Sequence, residues 1–443
     1  MTFIDLQAGF VLTLSGHEMT SIDVGHGACE GEHCTLASKG TLRREILRGI
    51  LSLRHLDTHA SHTLVMPALV PTYEAPRVTL VSHMTMDRLK AYGVSVVSRW
   101  AGSISISVYL TQQTDELDLV EFFRNEQKTA WENVTITIVR PSYAPDEASL
   151  LHRLRYPINR LRNLAISVAP AAYVLMTDAD FVPSPNMHEI ITRHGLPLLD
   201  SKITAWPSAH DPRMIIKHAI VIPCFVASPG ATQFASSQDE LKAHLGARPA
   251  LLSLTDPTIG HGPTAPHRLI KTQAYEDSPI SAWSYSVGFE PEWEPYYLLE
   301  KHSHLLYDER FTDQGGDKQS HALLLAALGF RFTVLRGAWL IHPPKVKRMG
   351  GLESVDEDEL WPMDRHLRRL LQSKSPSAAK KSAKLHFSSA QSDKTRFRYF
   401  EGFMPELKAT FGSREDLMRR WRGSLRAFVH RHVGRRGLGG LIC

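Results

Sequence analysis

Apolar residues fall into short runs along this chain, and from Arg77 the runs alternate between the period of a strand and that of a helix. "RVTLVSHM", bounded by Pro76, predicts a buried strand rich in Val and Leu. "MDRLKAYG" follows as a short helix ended by Gly93. "SISISVYL" alternates strictly and predicts a second strand, and "NVTITIVR" a third. Residues 156–169, "YPINRLRNLAISVA", carry helical spacing, with Pro157 suited to a first turn. "YVLMTDADFVP" then predicts a buried strand that runs into acidic residues and a proline stop. Further along come a strand "HAIVIPCFV", a helix near residues 237–246, and a loop-rich stretch over 253–295. A helix "DKQSHALLLAALG" closed by Gly329 and a strand "FRFTVLRGAWLIH" complete the pattern. Strands alternating with helices predict an α/β domain with a mostly parallel central sheet. In such sheets ligands sit at the carboxyl ends of the strands, which is where "TDAD" falls.

The two ends of the chain look different. Residues 1–74 show weak periodicity and are expected as an N-terminal extension, 75–350 as the α/β domain, and 351–443 as a basic linker and C-terminal helix. Residues 373–395, rich in Ser, Lys and Ala, read as a flexible linker. The helix predicted over 414–433 carries Leu417, Trp421, Leu425 and Phe428 on one stripe among basic residues. Docking on its own protein and lying on a membrane surface both fit that stripe.

Charge sharpens this division. Residues 365–443 hold 19 Lys and Arg against 5 Asp and Glu, so a net-acidic body ends in a basic tail. Such a tail suits phosphate, an acidic membrane face or an acidic glycan, although a solvated extension has the same composition. Nucleic acid is not the expected partner, because no stacking or groove-reading motif accompanies the charge. With 43% hydrophobic and 22% charged residues in 443, the chain is neither disordered nor fibrous. Four cysteines exclude a disulfide scaffold. His26, Cys29, His33 and Cys34 lie close together, but no second half-site completes a zinc motif, and a polar loop is expected. No apolar run approaches the roughly 18 residues of a membrane span, and no signal peptide is visible in the first thirty residues.

The candidate chemistry centres on Asp178 and Asp180. Buried carboxylates are costly unless paired or bound to metal, and alternation along a strand sets both on one face, with Ala179 on the other. Two hard oxygen ligands with open positions suit Mg²⁺ or Mn²⁺, and a diphosphate is the natural further partner. Asn159, Arg162 and Asn163 share one face of the preceding helix as donors for phosphate or ribose. His342, ending a buried strand, is positioned to complete a metal sphere. On spacing alone, a solvated loop at the Asp pair and a hydrogen-bonded histidine are the commoner outcomes.

The segments "VTLVSHMTMDRL", "YPINRLRNLAISVAPAAYVLMTDADFVP", "GHGPTAPHRLIKT", "FEPEWEPYYLLEK", "YDERF" and "FTVLRGAWLIHPP" resemble glycosyltransferase family 49 in order and spacing, over roughly residues 75–348. This is the family of the LARGE-type glucuronyltransferase domain and of β-1,4-glucuronyltransferase. The resemblance implies a GT-A fold that binds a nucleotide sugar, a UDP-sugar donor (UDP-glucuronate in characterised members), Mn²⁺ or Mg²⁺, a glycan or glycoprotein acceptor, and inversion at the anomeric carbon. It also implies the Golgi or another secretory-pathway lumen, where family enzymes normally carry a membrane anchor; none is visible here. By the same resemblance Asp178, Asp180 and His342 are metal ligands, and Arg162 and Asn163 face the donor. Asp87 and Arg88 lie where the nucleotide is held, while His261 and Glu294 line the sugar or acceptor site. Asp317 stands where inverting enzymes of this fold carry an acidic base, although family members have Asn there and a helix cap explains an Asp equally well. Glu294 is the other candidate base. Lys318 is expected on the diphosphate or a sugar carboxylate, or in solvent. A catalytically silent domain of this fold, serving as a glycan-binding or scaffold module, is the competing expectation.

Overall fold

The structure, a computed structural model, describes residues 10–15, 18–23, 46–68, 77–125, 131–146, 149, 152–153, 155–200, 217–229, 234–254, 261–264, 269, 283–290, 293–312, 315–343 and 398–412. The cysteine–histidine segment 26–34, the linker 373–395 and the basic helix around Trp421 lie outside them. A hairpin of β1 (Phe10–Ser15) and β2 (Glu18–Asp23) leads to β3 (His62–Met66). Then follow β4 (Val78–Thr85), β5 (Ser103–Tyr109), β6 (Val134–Arg140) and β7 (Tyr173–Met176), paired in the order β7-β4-β5-β6 and all parallel. The expected α/β architecture with a mostly parallel centre is therefore present.

These strands are parallel because helices return the chain between them, and burial on both faces explains their composition. One face of β4 and β7 packs the helix Ile158–Ser167 through Val81, Val174, Met176, Ala165 and Ile166. The other packs Leu80, Ile104 and Ile106 against Leu89, Val96, Met187 and Ile191 of the helical residues 86–98 and 187–200. The serines of "SISISVYL" are buried too: the Ser105 hydroxyl donates to the Ala165 carbonyl at 2.7 Å, and Ser103 pairs with Thr79 at 2.8 Å. Small polar residues here let a helix approach closely, and Ser103 and Ser105 keep hydrogen bonds of their own.

The remaining strands are β8 (Val182–Pro183), β9 (His218–Ile222), β10 (Cys224–Ala227), β11 (Leu252–Leu254), β12 (Ser284–Val287), β13 (Tyr296–Glu300), β14 (Arg331–Leu335) and β15 (Leu340–His342). The large sheet runs β12-β14-β9-β13-β7-β4-β5-β6-β3-β1-β2, and a smaller one runs β11-β10-β15-β8. Strand β13 is antiparallel to both neighbours, so its first residues lie at the carboxyl end of β7.

Four expectations are corrected. The helix of "MDRLKAYG" does not stop at Gly93 but continues through a wider turn to Ser98, because Val96 and Val97 extend its buried stripe. Gly93 instead permits close packing: a Cβ there would lie 2.8 Å from Leu89 Cδ1 and 3.5 Å from Trp131. The runs "HAIVIPCFV" and "FRFTVLRGAWLIH" are each two strands, split at Pro223 and around Gly337 (φ 85°), and each crosses from the large sheet to the small one. Strand β7 ends at Met176, so Asp178 and Asp180 occupy a turn rather than alternating strand positions. Finally, residues 46–66 are integral to the main domain. Strand β3 pairs with β6, and Ile46, Ile50, Leu53, Leu64 and Met66 enter its core.

Candidate active site

Five segments converge where β4 and β7 end. Strand β4 brings His83, the turn after β7 brings Asp178 and Asp180, and β13 begins with Tyr296. The helix Ile158–Ser167 turns Asn159 and Arg162 toward this point. The helix Asp317–Ala327 starts there with Asp317 and Lys318, entered through Gly315 and Gly316 in left-handed conformations (φ 107° and 75°). Those two glycines let the chain turn sharply onto the helix axis at little steric cost.

Asp178 is the hub. Its Oδ1 accepts from Arg162 Nη2 at 3.0 Å and lies 3.3 Å from His83 Nε2. Its Oδ2 accepts from the Tyr296 hydroxyl at 2.6 Å and from Lys318 Nζ at 2.9 Å. Burial alone pushes this carboxyl up, but Lys318 and Arg162 outweigh it and hold it well below the usual carboxylate range. The other nitrogen of His83 meets the Tyr156 hydroxyl at 2.8 Å. Arg162 is fully buried, and its Nη1 donates to Asp317 Oδ2 at 2.5 Å and to Asn159 Oδ1 at 2.8 Å. Burial likewise raises Asp317, and Arg162 followed by Lys318 brings its carboxyl below the ordinary value.

Asp180 faces a second set of partners. Its Oδ2 accepts from Arg88 Nη1 at 2.6 Å and lies 3.4 Å from His342 Nε2. The antiparallel pairing of β15 with β8 sets that approach: Ile341 stands opposite Val182, so His342, the residue after Ile341, comes beside the residues that precede Val182, Phe181 and Asp180. Phe181 packs between them and the neighbouring rings, its centroid 5.2 Å from that of His342, 4.9 Å from Tyr296 and 6.0 Å from His261. Basic and acidic side chains thus meet at a strand-end crevice, an arrangement suited to a ligand carrying several negative charges.

The model of the family described as glycosyl-transferase for dystroglycan matches residues 124–372, more than half of the chain. The chain belongs to that family. Glycosyltransferase-like protein gnt14 of Dictyostelium discoideum is 28% identical over 271 residues, which is 60% of this chain and 37% of that protein. Xylosyl- and glucuronyltransferase LARGE1 of Danio rerio is 29% identical over 277 residues, 62% of this chain and 32% of that protein. The chain spans about a third of the length of the curated relatives it matches.

A divalent metal is implied by resemblance to this glycosyltransferase family, and the donor set can be tested against it. Among the described residues no group of three or more His, Cys, Asp and Glu forms a metal cage. Mg²⁺ and similar ions need none, because one or two carboxylates with phosphate oxygens and water suffice. Asp180 and His342 fit, since an O···N separation of 3.4 Å is that of neighbouring ligands on one ion. Asp178 already accepts from two cations and a tyrosine hydroxyl. It joins such an ion only by releasing one of them.

The other residues expected at this site divide clearly. Arg88 reaches Asp180, whereas Asp87 is exposed in the first turn of its helix, outside this cluster. Asn159 bridges Arg162 and the Asp308 carbonyl, to which its amide donates at 2.8 Å. Asn163 faces elsewhere. Its amide donates to the Tyr307 carbonyl and Glu309, and its Oδ1 accepts from the Tyr307 N–H at 2.8 Å, so it fastens a loop instead of facing the crevice. His261 is buried and stacks on Tyr296 at 5.3 Å. Glu294 is the most exposed carboxylate of the group; its Oε1 accepts from Gln319 at 2.9 Å and its Oε2 lies 3.4 Å from Lys318. Lys318 is buried among carboxylates rather than solvent-facing; burial lowers its pKa, and Asp178 with Glu294 more than restores it.

Sequence reasoning missed His83, Tyr156, Phe181 and Tyr296. Two carried a usable signal: His83 sits at the carboxyl end of the first parallel strand, and Phe181 directly follows the Asp pair. Tyr296 carried none, because only the antiparallel insertion of β13 beside β7 brings it to Asp178. The "NVT" at Asn133 opens β6 as expected, and its side-chain amide donates to the Gly102 carbonyl at 2.6 Å.

Proposed function

We propose that this chain is a metal-dependent, inverting glycosyltransferase that moves a sugar, glucuronate first among candidates, from a UDP-sugar to a glycan or glycoprotein acceptor in the Golgi or another secretory-pathway lumen. The observation that carries this reading is the approach of Asp180 to His342 beside the cation-clamped Asp178. Asp180 and His342 would hold Mn²⁺ or Mg²⁺, which when bound would supply Lewis-acid neutralisation of the leaving diphosphate. Arg88, whose side chain is 42% exposed, exchanges Asp180 for a phosphate oxygen, and Lys318 adds a buried positive charge near the same group. Phe181, Tyr296 and His261 wall the crevice and exclude water from it. The acceptor hydroxyl oxygen bonds to the anomeric carbon from the face opposite UDP as the bond to the diphosphate oxygen breaks. Glu294 takes the hydroxyl proton.

Glu294 suits that last role better than Asp317. A base must reach the acceptor, and Asp317 is buried against Arg162 at 2.5 Å, whereas Glu294 is the more accessible carboxylate. Glu294→Gln is expected to lower kcat roughly 10²- to 10⁴-fold while UDP affinity holds. Equal kcat in the variant and the parent would remove Glu294 from the mechanism.

The reading as a whole is tested by UDP release from a panel of UDP-sugars, with Mn²⁺ and with EDTA. Release from one sugar that EDTA abolishes is the expected result and names the donor. A folded protein that neither turns over nor binds UDP with Mn²⁺ would leave a silent scaffold in its place.

A further inference from the structure

Beyond the family match, residues 398–411 return to the body of the protein as the helical segments Arg398–Phe403 and Met404–Phe411. They settle on the loop before the helix of Asp317 and Lys318. Phe403 and Leu407 pack with Phe311 in a small apolar cluster joined by Tyr399. The Phe311 and Phe403 rings meet edge to face at 5.9 Å. Arg398 donates to the Thr312 hydroxyl at 2.9 Å. Glu406 closes the contact with a two-pronged ion pair, both carboxylate oxygens 2.6 Å from the guanidinium of Arg310.

From that ion pair a continuous path leads to the crevice. Arg310 also grips the Asp308 carboxylate, through Nε at 2.9 Å and Nη2 at 2.6 Å. The Asp308 carbonyl accepts from Asn159, Asn159 accepts from Arg162, and Arg162 holds both Asp178 and Asp317. The ring of Tyr307, one residue before Asp308, lies under the Arg162 guanidinium at 5.2 Å. A second path is steric. A Cβ at Gly316 would stand 3.0 Å from Phe311 and 3.4 Å from Tyr399, so the segment presses against the glycine that introduces Asp317.

We propose that residues 398–411 are a clasp, and that Glu406 and Arg310 are positioning residues for the crevice, setting residues 307–312 and Gly316 and thereby the orientation of Arg162, Asp317 and Lys318. No chemistry is assigned to the clasp itself. Its effect on turnover rests on the transferase reading above, whereas its effect on the loop does not. Both partners of the ion pair are largely exposed, 51% and 60%, so the pair adds little to global stability. That separation lets positioning be measured apart from folding.

The test uses the full chain with Glu406→Lys, which sets a cation against Arg310, and Glu406→Asp, which restores a carboxylate. Two quantities are read: amide hydrogen exchange across residues 305–317, and kcat and KM for the UDP-sugar. Glu406→Lys is expected to speed exchange in that loop but not in β4 or β7, with an unchanged thermal midpoint. It should lower kcat about tenfold, with KM moving less than about twofold. Glu406→Asp should recover most of both effects. Unchanged exchange in the loop overturns the clasp, whether or not the protein turns over. Faster exchange with unchanged kcat in an active enzyme overturns the positioning role. If the parent protein shows no turnover, the transferase reading fails, and loop exchange alone decides the clasp.

Discussion

Asp180→Asn is expected to lower kcat for UDP-sugar turnover roughly 10²- to 10³-fold and to remove the EDTA-sensitive part of UDP binding. The substitution keeps the shape of the side chain and one oxygen, but removes the negative charge that Asp180 Oδ2 presents 3.4 Å from His342. Little else should change. Arg88, the other partner of that oxygen, is 42% exposed, and water solvates its guanidinium once the carboxylate is gone. Thermal unfolding should therefore barely shift while catalysis collapses. Titration calorimetry with UDP and Mn²⁺, beside steady-state UDP release, checks both halves. Turnover at the parent rate would show that the Asp180–His342 pair is only structural.

Arg162→Met should act oppositely, on the fold first. Arg162 is fully buried and neutralises two carboxylates, the half-buried Asp178 at 3.0 Å and the buried Asp317 at 2.5 Å. Removing one partner of a buried ion pair leaves an uncompensated charge and typically costs about 3–5 kcal/mol. Asp317 loses most, because Asp178 keeps Lys318. The pH dependence has a definite sign. Burial raises both carboxyls, but Lys318 and Arg162 bring Asp178 below its ordinary value, and Arg162 leads the same effect on Asp317. Folded values below the unfolded ones mean stability that is present above about pH 4 and lost as pH falls through the folded values. Without Arg162 that depression shrinks, so the variant, already less stable at neutral pH, should lose less further stability as pH falls below about 4. Urea denaturation at neutral pH and an acid titration followed by tryptophan fluorescence measure the two effects. Coincident curves for variant and parent would contradict the buried network.

Much of the parallel core could be read in advance, because burial on both faces writes long runs such as "RVTLVSHM" and "NVTITIVR" into the chain. The changes of sheet at Pro223 and Gly337 could not. Each lies inside one apolar run, and local periodicity carries no information about which sheet a strand joins. The turn holding the Asp pair was hidden similarly: an apolar strand followed by Asp-Ala-Asp scans as continued alternation until Met176 is seen to end β7. At the site, Asp178, Asp180, Arg162 and His342 were legible as chemistry, Arg88 and Lys318 only through the family resemblance, and all six are brought into one cluster. Asn163 shows why a shared helix face is not a shared partner. It lies one turn from Asn159, yet the loop at Tyr307 claims both ends of its amide. His83 and Tyr296 reach Asp178 from 95 and 118 residues away, a distance at which only tertiary pairing decides contact.

The two crossings between sheets carry a consequence for how errors spread through this molecule. Asp178 is tethered to β7 of the eleven-stranded sheet, whereas Asp180 and His342 are tethered to β8 and β15, which are partners in the four-stranded one. The spacing within the second pair is therefore a local dimension, set by two rungs of one short ladder. Twist or drift accumulating across the long sheet shifts Asp178 relative to that pair, but hardly alters the pair itself. Tolerances are thus split: the gap between Asp180 and His342 is machined in one small part, and the long sheet is left free to vary around it.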